Sequence, residues 1–266
     1  MPFQKIAASK ISSAITRQIE ELILQGVLRP GDRLPSEREL SETMEVSRPT
    51  LREALADLEA RGLIVTRPGG GTVIAEMLGS AFAAPLIELF ATHDTALFDY
   101  IAFRRDLEGL AAGHAALNAT DADLAVIDSA FRRMEAAAQK RNPDEEAALD
   151  AEFHMTIVEA AHNVVMLHML RSLYDLLVRG VFYNRNVIYS LPERRSKLLD
   201  QHRAIRDAVV GRDAAAARAA VEVHMDFIAE ALRDANRMRS REQVAALRQR
   251  HEELRARKPR SRKAGG

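Results

Sequence analysis

One short stretch departs from a chain that otherwise has the periodicity of helices. β-Branched and other apolar residues cluster at 63–66 and again at 72–74, on either side of the glycine-rich sequence Arg67–Gly71, and this pattern predicts a β-hairpin. Ahead of it, apolar residues from Ile11 to Ile23 recur at helical spacing, and Gly26 ends that pattern. The first 75 residues are therefore expected to form a small helical domain that carries a β-wing.

Two serines mark the beginnings of two further helices in this domain. Ser36 and Glu39 have the spacing of a capping box, which opens a short helix ending near Met44. Ser47 caps a third helix that carries an apolar stripe and ends at Gly62. Three helices followed by a hairpin predict a winged helix-turn-helix.

From about residue 79 onward the chain has only helical patterns. Breaks fall near 93–94, 118–121, 142–143, 162–163, 190–192 and 211–212, and they delimit about seven helices that end near Asn236. The expected fold is mainly α, with an N-terminal winged helix-turn-helix and a C-terminal all-helical bundle. The expected parts are a head at 1–75, a linker at 76–85, the bundle at 86–236 and a basic tail at 237–266.

Composition excludes several classes of protein. The 266 residues include no cysteine, which excludes disulfides, thiolate metal sites and cysteine nucleophiles. The N-terminal residues lack the pattern of a signal peptide, and no apolar run is long enough to span a membrane. We therefore expect a cytoplasmic protein that does not bind membranes.

The net charge of zero conceals an uneven distribution of charge. Residues 76–235 contain 17 basic and 25 acidic residues, whereas residues 236–266 contain 11 basic and 3 acidic residues. The acidic central region argues against an architectural protein wrapped in nucleic acid, so any DNA contact should be local. The basic tail could extend as an exposed helix that frays at Lys258–Pro259. It is either a solvated segment or one that adds salt-dependent affinity for DNA.

The beginning of the third predicted helix carries the side chains best placed to contact DNA. Arg48 and Arg52 are four residues apart and project from one flank, where guanidinium groups can meet guanine O6 and N7 in the major groove. Arg38 is well placed for a phosphate or a further base, and Arg67 lies beside the glycine-rich wing tip. Any one of these arginines alone would be an ordinary surface charge, but several of them at these positions of a winged helix-turn-helix favour a DNA-binding surface.

Four polar residues in the helical bundle have the spacing of a convergent site. Asp150 and His154 are four residues apart on one helical face. In an antiparallel hairpin, His202 and His224 would lie about 14 and 17 Å from the predicted turn, and so be nearly level. One carboxylate and three imidazoles suit Zn²⁺, Ni²⁺ or Mn²⁺, but spacing alone leaves a metal site and a set of hydrogen-bonded core residues equally open. Ordinary roles are expected for the other histidines, which are His93, His114, His162, His168 and His251.

A metal-dependent enzyme acting on a small carboxylate is the main alternative use of these four residues. The chain contains no His-Glu-x-x-His or His-x-x-Glu-His arrangement that would add a poised base to a metal-bound water. A sensor is therefore favoured over an enzyme.

Three segments of the head resemble the GntR family of transcription regulators: Leu34–Leu40, Val46–Leu55 and Gly69–Thr72. The resemblance implies a DNA-binding regulator, in which the arginines matching Arg38, Arg48 and Arg52 contact operator bases or phosphates and the wing contacts the minor groove. On this basis the DNA-contacting residues are expected to be Arg38, Ser47, Arg48, Thr50, Arg52, Arg67, Gly69 and Gly70.

The bundle is similar to the helical effector domain (FCD domain) of the FadR-type branch of that family. The likeness is carried by the motif Arg104–Glu108 and by Asp150, Phe153, His154, Asn163, His202 and His224. It implies that Asp150 and the three histidines bind a divalent metal, which helps to hold a small organic acid. Arg104 and Asn163 are the expected effector contacts, and an ion pair with Glu108 is the alternative role of Arg104.

Residues 107–112 and 159–165 are similar to the repressors that control the pyruvate dehydrogenase complex and lactate utilisation. Members of the first group can lack the metal set, whereas this chain has all four ligands, which favours a lactate-like 2-hydroxy acid over pyruvate. We therefore expect a homodimeric repressor that responds to this ligand and binds a palindromic operator.

Overall fold

The computed structural model describes residues 8–67, 71–75, 88, 93–140, 142–178 and 192–257. The N-terminal elements are α1 (Ala8–Leu24), α2 (Glu37–Thr43), α3 (Arg48–Ala60), β1 (Ile64–Arg67) and β2 (Gly71–Ile74). The C-terminal elements are α4 (Asp94–Asn118), α5 (Asp121–Lys140), α6 (Pro143–Ala160), α7 (Val164–Val178), α8 (Pro192–Val210) and α9 (Ala214–Arg257). The fold is mainly α, as the sequence predicts.

The head, residues 8–75, is the predicted winged helix-turn-helix. The hydroxyl of Ser36 accepts from the backbone N–H of Glu39, whose carboxylate accepts in return from Ser36, so the capping box is present. Ser47 caps α3 through the backbone N–H of Thr50. Strands β1 and β2 pair antiparallel, from Ile64 opposite Ile74 to Arg67 opposite Gly71. The wing is therefore a hairpin that follows α3 directly.

A small apolar core holds the head together. It draws on α1, α2, α3 and both strands, so that each element buries one face against the others. Its buried members are Ile15, Ile19, Ile23, Leu34, Leu40, Leu51, Ala54, Leu58, Ile64 and Ile74.

The C-terminal helices enclose a second, larger core. Helix α4 is central, because it packs against α6, α7, α8 and α9. Helices α8 and α9 form the predicted antiparallel hairpin across the turn at 211–213, while α5 packs against α6 and α8. Each predicted break that lies within the described residues coincides with a helix end. This packing brings residues from five helices to one point in the domain interior.

The described residues from 93 onward contain six helices, and the stretch before residue 93, where a further helix is predicted, lies almost entirely outside the described residues. The last of the six, α9, continues to Arg257, in agreement with the expectation that the tail can extend as an exposed helix. Residues 237–257 are rich in Arg, Glu, Gln and Ala, which favour helix, and the next proline is Pro259. The first 21 residues of the predicted tail therefore continue the helix, and residues 237–253 are exposed. The expected linker, 76–85, lies outside the described residues.

A membrane-spanning helix must be both long and strongly apolar. None of the helices in the described part of the chain meets both requirements.

Candidate metal centre and DNA-contacting surface

The structure brings the four predicted metal ligands together in the interior of the bundle. Asp150 and His154 come from α6, His202 from α8 and His224 from α9, and all four are buried. One ligand atom from each can be chosen so that all four lie within 4.8 Å of one another. The α8–α9 hairpin places His202 and His224 at nearly the same height along the two helices, as the helical rise predicts.

The spacing between these atoms fits ligands that share one ion. The Nε2 atoms of His154 and His202 are 3.3 Å apart, and Oδ1 of Asp150 lies 3.0 Å from Nε2 of His202 and 3.9 Å from Nε2 of His154. Ligand atoms about 2.1 Å from a common metal stand roughly 3.0 to 4.2 Å apart, depending on the angle between them. These residues can therefore hold a divalent metal without large rearrangement.

Glu108 on α4 orients His154. Its Oε2 lies 2.9 Å from Nδ1 of His154, and both side chains are almost fully buried. Burial acts to raise the pKa of Glu108, but the charge of Arg104, together with the hydrogen-bonding groups of Arg104 and His154, outweighs it and lowers the pKa to about 2. An ionised carboxylate 2.9 Å from Nδ1 favours the proton on that nitrogen, which would leave on Nε2 the lone pair that a metal requires.

Gln201 gives His224 the same orientation. The Nδ1 atom of His224 lies 3.2 Å from Oε1 of Gln201, an amide oxygen that can only accept. Nδ1 is therefore the protonated nitrogen, and Nε2 has the lone pair. Metal-binding histidines usually have such a partner on the second ring nitrogen, as His154 and His224 do here.

Arg104 lies completely within the bundle and completes this buried network. Its Nε donates to Oε1 of Glu108 at 2.6 Å, and Nη2 donates to the hydroxyl of Tyr174 at 2.7 Å. Burial raises the pKa of Tyr174 well above its ordinary value, so the phenol stays protonated. The ion pair between Arg104 and Glu108, which the sequence left as an alternative, is thus present.

Asn163, the other predicted effector contact, is exposed and lies beside the head. Its side-chain oxygen accepts from the backbone N–H of Met166 at 3.0 Å and so caps α7. It lines a cleft of about 550 Å³ between the turn after α1 and the ends of α5, α6 and α7. An effector role for Asn163 remains a prediction.

Two hydrogen bonds between described residues join the head to the bundle at this cleft or beside it. Nη2 of Arg29 donates to Oε1 of Glu159 at 2.8 Å, an oxygen that also accepts from Nη2 of Arg171, within the bundle, at 2.9 Å. Nε2 of His168 donates to the carbonyl of Leu24 at 3.0 Å. The last residues of α6 therefore touch the head directly.

The four arginines among the predicted DNA-contacting residues, Arg38, Arg48, Arg52 and Arg67, are exposed on the head. Arg48 is the first residue of α3, and one turn later Nε of Arg52 donates to Oε2 of Glu37 at 2.7 Å. Arg38 pairs with Glu42 at 3.5 Å. Both pairs are solvent-exposed and weak enough to exchange a carboxylate for a phosphate or a base edge.

The remaining predicted contacts are at the start of α3 and on the wing. The hydroxyls of Ser47 and Thr50 lie 2.8 Å apart, and Arg67 is the last residue of β1. Gly69 and Gly70 lie outside the described residues.

Sequence reasoning missed Gln201 and Tyr174, and it assigned Glu108 only to Arg104. Gln201 precedes a predicted ligand directly, a signal that was present in the sequence. Tyr174 gave no local signal, because its hydrogen bond with Arg104 joins residues 70 positions apart.

A winged helix-turn-helix joined to a helical domain with a buried Asp/His group defines a DNA-binding transcription regulator. Residues 11–74 match the model for bacterial regulatory proteins of the GntR family, and residues 99–227 match the FCD domain. The chain belongs to the GntR family, whose members regulate transcription and are not enzymes. Regulators of this family bind DNA operators and usually act as dimers.

Individual relatives share most of this architecture. The chain is 37% identical over 227 residues to the Glc operon transcriptional activator of Escherichia coli K12, covering 84% of this chain and 89% of the relative. It is 35% identical over 223 residues to the putative L-lactate dehydrogenase operon regulatory protein of the same organism, covering 82% and 85%. A solved GntR structure from Streptococcus agalactiae superposes with a TM-score of 0.50 at 25% identity, over 82% of this chain and 99% of that one.

Proposed function

We propose that this regulator binds a divalent metal through Asp150, His154, His202 and His224 and uses it to sense a small 2-hydroxy acid such as lactate. The acid would shift the population of a homodimer between arrangements whose two heads do and do not fit a palindromic operator. The observation that carries the proposal is the convergence of four buried ligands from three helices.

The chemistry of the donor set supports a metal with room for a small acid. Three imidazoles and one carboxylate suit Zn²⁺, Ni²⁺ or Mn²⁺, and a single anionic ligand leaves the centre net positive. The metal would supply a Lewis-acid attachment point for a carboxylate. Arg104 is proposed to assist through the buried network that it shares with Glu108 and His154. The likeness to a putative regulator of an L-lactate dehydrogenase operon supports lactate over pyruvate.

Helix α6 offers a direct route from the metal centre to the head. Asp150 and His154 lie within it, and Glu159, five residues beyond His154, accepts from Arg29 of the head. A shift of α6 on ligand binding would therefore act on the Arg29–Glu159 ion pair. We propose that this ion pair carries the response.

On the DNA side, we propose that Arg48 and Arg52 read base edges in the major groove, with Arg38 on a base or phosphate. Ser47 and Thr50 would meet the backbone, while Arg67 with Gly69 and Gly70 would approach the minor groove. The proposed sign is repression released by the acid. A promoter fusion read with and without lactate tests that sign, since a relative is named as an activator.

Metal analysis of protein purified without an affinity tag tests the sensor. We expect about one divalent metal per chain and a lower melting temperature after chelation, because metal bound only by the folded state adds to its stability. Operator binding, measured by fluorescence anisotropy with and without lactate, should respond to the acid only in the metal-loaded protein. Protein that lacks metal and still responds normally would disprove the proposal.

A matched pair of variants locates the site. His202→Ala should lose the metal and the response to the acid but keep operator binding, since the head is a separate structural unit. His251→Ala, which changes an exposed histidine on α9, should retain all three properties.

A further inference from the structure

Helix α4 has apolar side chains on the face that is turned away from the core. Phe103, Leu110 and Leu117 are 47%, 37% and 66% exposed, although other residues of the same helix, such as Ile101 and Ala112, are buried. Steps of seven residues place the three on one line along the helix. A helix that is apolar on both faces normally has both faces covered, so this line indicates an interface.

The residues along this line are arranged symmetrically about Leu110. Phe103 and Leu117 lie seven residues to either side of it, and Asp106 and His114 lie four residues to either side. Two copies of α4 that run antiparallel about a two-fold axis at Leu110 would place Leu110 opposite itself. Phe103 would then be level with Leu117 of the other copy, and Asp106 level with His114, each pair occurring twice.

Both kinds of pairing are favourable. The central residues are large and apolar, and the flanking pair joins a carboxylate to an imidazole that can donate to it. The side chain of Asp106 is 67% exposed and so remains accessible to a second chain. An apolar centre flanked by polar pairs is the usual anatomy of a protein interface.

We propose that a second copy of this chain covers this face, through antiparallel pairing of the two α4 helices about a two-fold axis at Leu110. This inference rests on the proposed function, because a palindromic operator requires two heads related by such an axis. It adds the residues, the direction and the register of the interface.

Cysteine cross-linking tests the register without interference, since the natural chain has no cysteine. Leu110→Cys should form a disulfide dimer under mild oxidation, because a residue on the axis meets its own copy at disulfide distance. Phe103→Cys and Leu117→Cys should each remain monomeric on a denaturing gel when oxidised alone, and should cross-link when mixed. Val126→Cys, which replaces a similarly exposed residue on α5, is the matched control and should not cross-link.

A charged residue on the proposed two-fold axis tests how much this pairing contributes to dimer stability. Leu110→Arg should raise the dimer dissociation constant at least about 100-fold in analytical ultracentrifugation, because two guanidinium groups would face each other there. Val126→Arg should leave that constant unchanged. Asp106→Arg should weaken the dimer, and adding His114→Glu should restore it by reversing the flanking pairs.

The outcomes separate this inference from the proposed function. A wild-type dimer that survives Leu110→Arg, with no cross-link at residue 110, would overturn the α4 interface and leave a dimeric regulator intact. Self-cross-linking of Phe103→Cys would show a parallel pairing and would also overturn it. Wild-type protein that binds its operator as a monomer would overturn the homodimer and this interface together.

Discussion

The head and the bundle hold their charged side chains in opposite ways. In the head, the Arg52–Glu37 pair lies open to solvent, with side chains 66% and 43% exposed. In the bundle, the Arg104–Glu108 pair is 0% and 3% exposed. Exposed pairs contribute about 0 to 1 kcal/mol and exchange partners readily, whereas loss of one partner from a buried pair costs several kcal/mol. Arginines of the head can thus exchange a carboxylate for another anion, whereas the bundle holds its charged side chains in fixed positions.

Neutralising the buried pair should have the largest effect. Glu108→Gln leaves Arg104 buried without its carboxylate, so we expect a loss of about 3–5 kcal/mol in the free energy of unfolding. Urea denaturation of chelator-treated protein measures this apart from metal binding. Glu42→Gln, which removes an exposed partner of Arg38, is the control and should change stability by less than about 0.5 kcal/mol. Equal losses of unfolding free energy in the two variants would show that the buried pair is no more important for stability than the exposed pair.

Removing the exposed arginines of α3 should affect DNA binding without affecting stability. Arg48→Ala or Arg52→Ala should cost about 1–3 kcal/mol on the cognate operator and less on random DNA, because each substitution would remove the proposed bidentate pair of hydrogen bonds to a base. Titrations of labelled operator and random duplexes provide the two affinities. Equal losses on both would identify these residues as phosphate-binding.

The ion pair between the two regions should have a smaller effect. Arg29→Ala leaves Glu159 with Arg171, so stability should change by less than about 1 kcal/mol. The effect of lactate on operator affinity should nevertheless fall by about 0.5–1 kcal/mol if α6 transmits the signal. Arg61→Ala, which breaks an exposed ion pair within the head, is the control and should leave the lactate response unchanged. An unchanged response in Arg29→Ala would place the route elsewhere.

The smallest effect is expected from removing the basic tail, residues 237–266. Deletion of residues 237–266 should leave folding and sensing intact, because residues 237–253 are exposed along α9. If the tail binds phosphates, the slope of log affinity against log salt should become shallower by about 0.9 for each phosphate that it neutralises, while sequence preference survives. Loss of the folded dimer on truncation would show that the tail is structural.

Local signals explain which parts were predictable from sequence. The helix caps at Ser36 and Ser47 are recognisable from the residue types at the cap and three positions later. That His202 and His224 lie side by side follows from the helical rise on either side of one turn. The hydrogen-bond partners of the candidate metal ligands were harder to predict from the sequence. Glu108 reaches His154 only because α4 packs against α6, and chain spacing carries no information about that packing. The exposed helical tail beyond residue 236 was predictable, because Arg, Glu, Gln and Ala favour helix and the change in charge there does not lower that propensity.

Helix α9 joins the candidate metal ligand His224 and the first part of the basic tail in a single rod. His224 and Arg257 are 33 residues apart on an uninterrupted helix, which corresponds to about 50 Å. If this helix tilted as a rigid body at the proposed metal site, it would act as a lever arm with its fulcrum near His224. Each degree of tilt at His224 would swing the far end by roughly 0.9 Å, so a tilt of a few degrees, too small to disturb the core, would become a displacement comparable to the spacing of DNA phosphates.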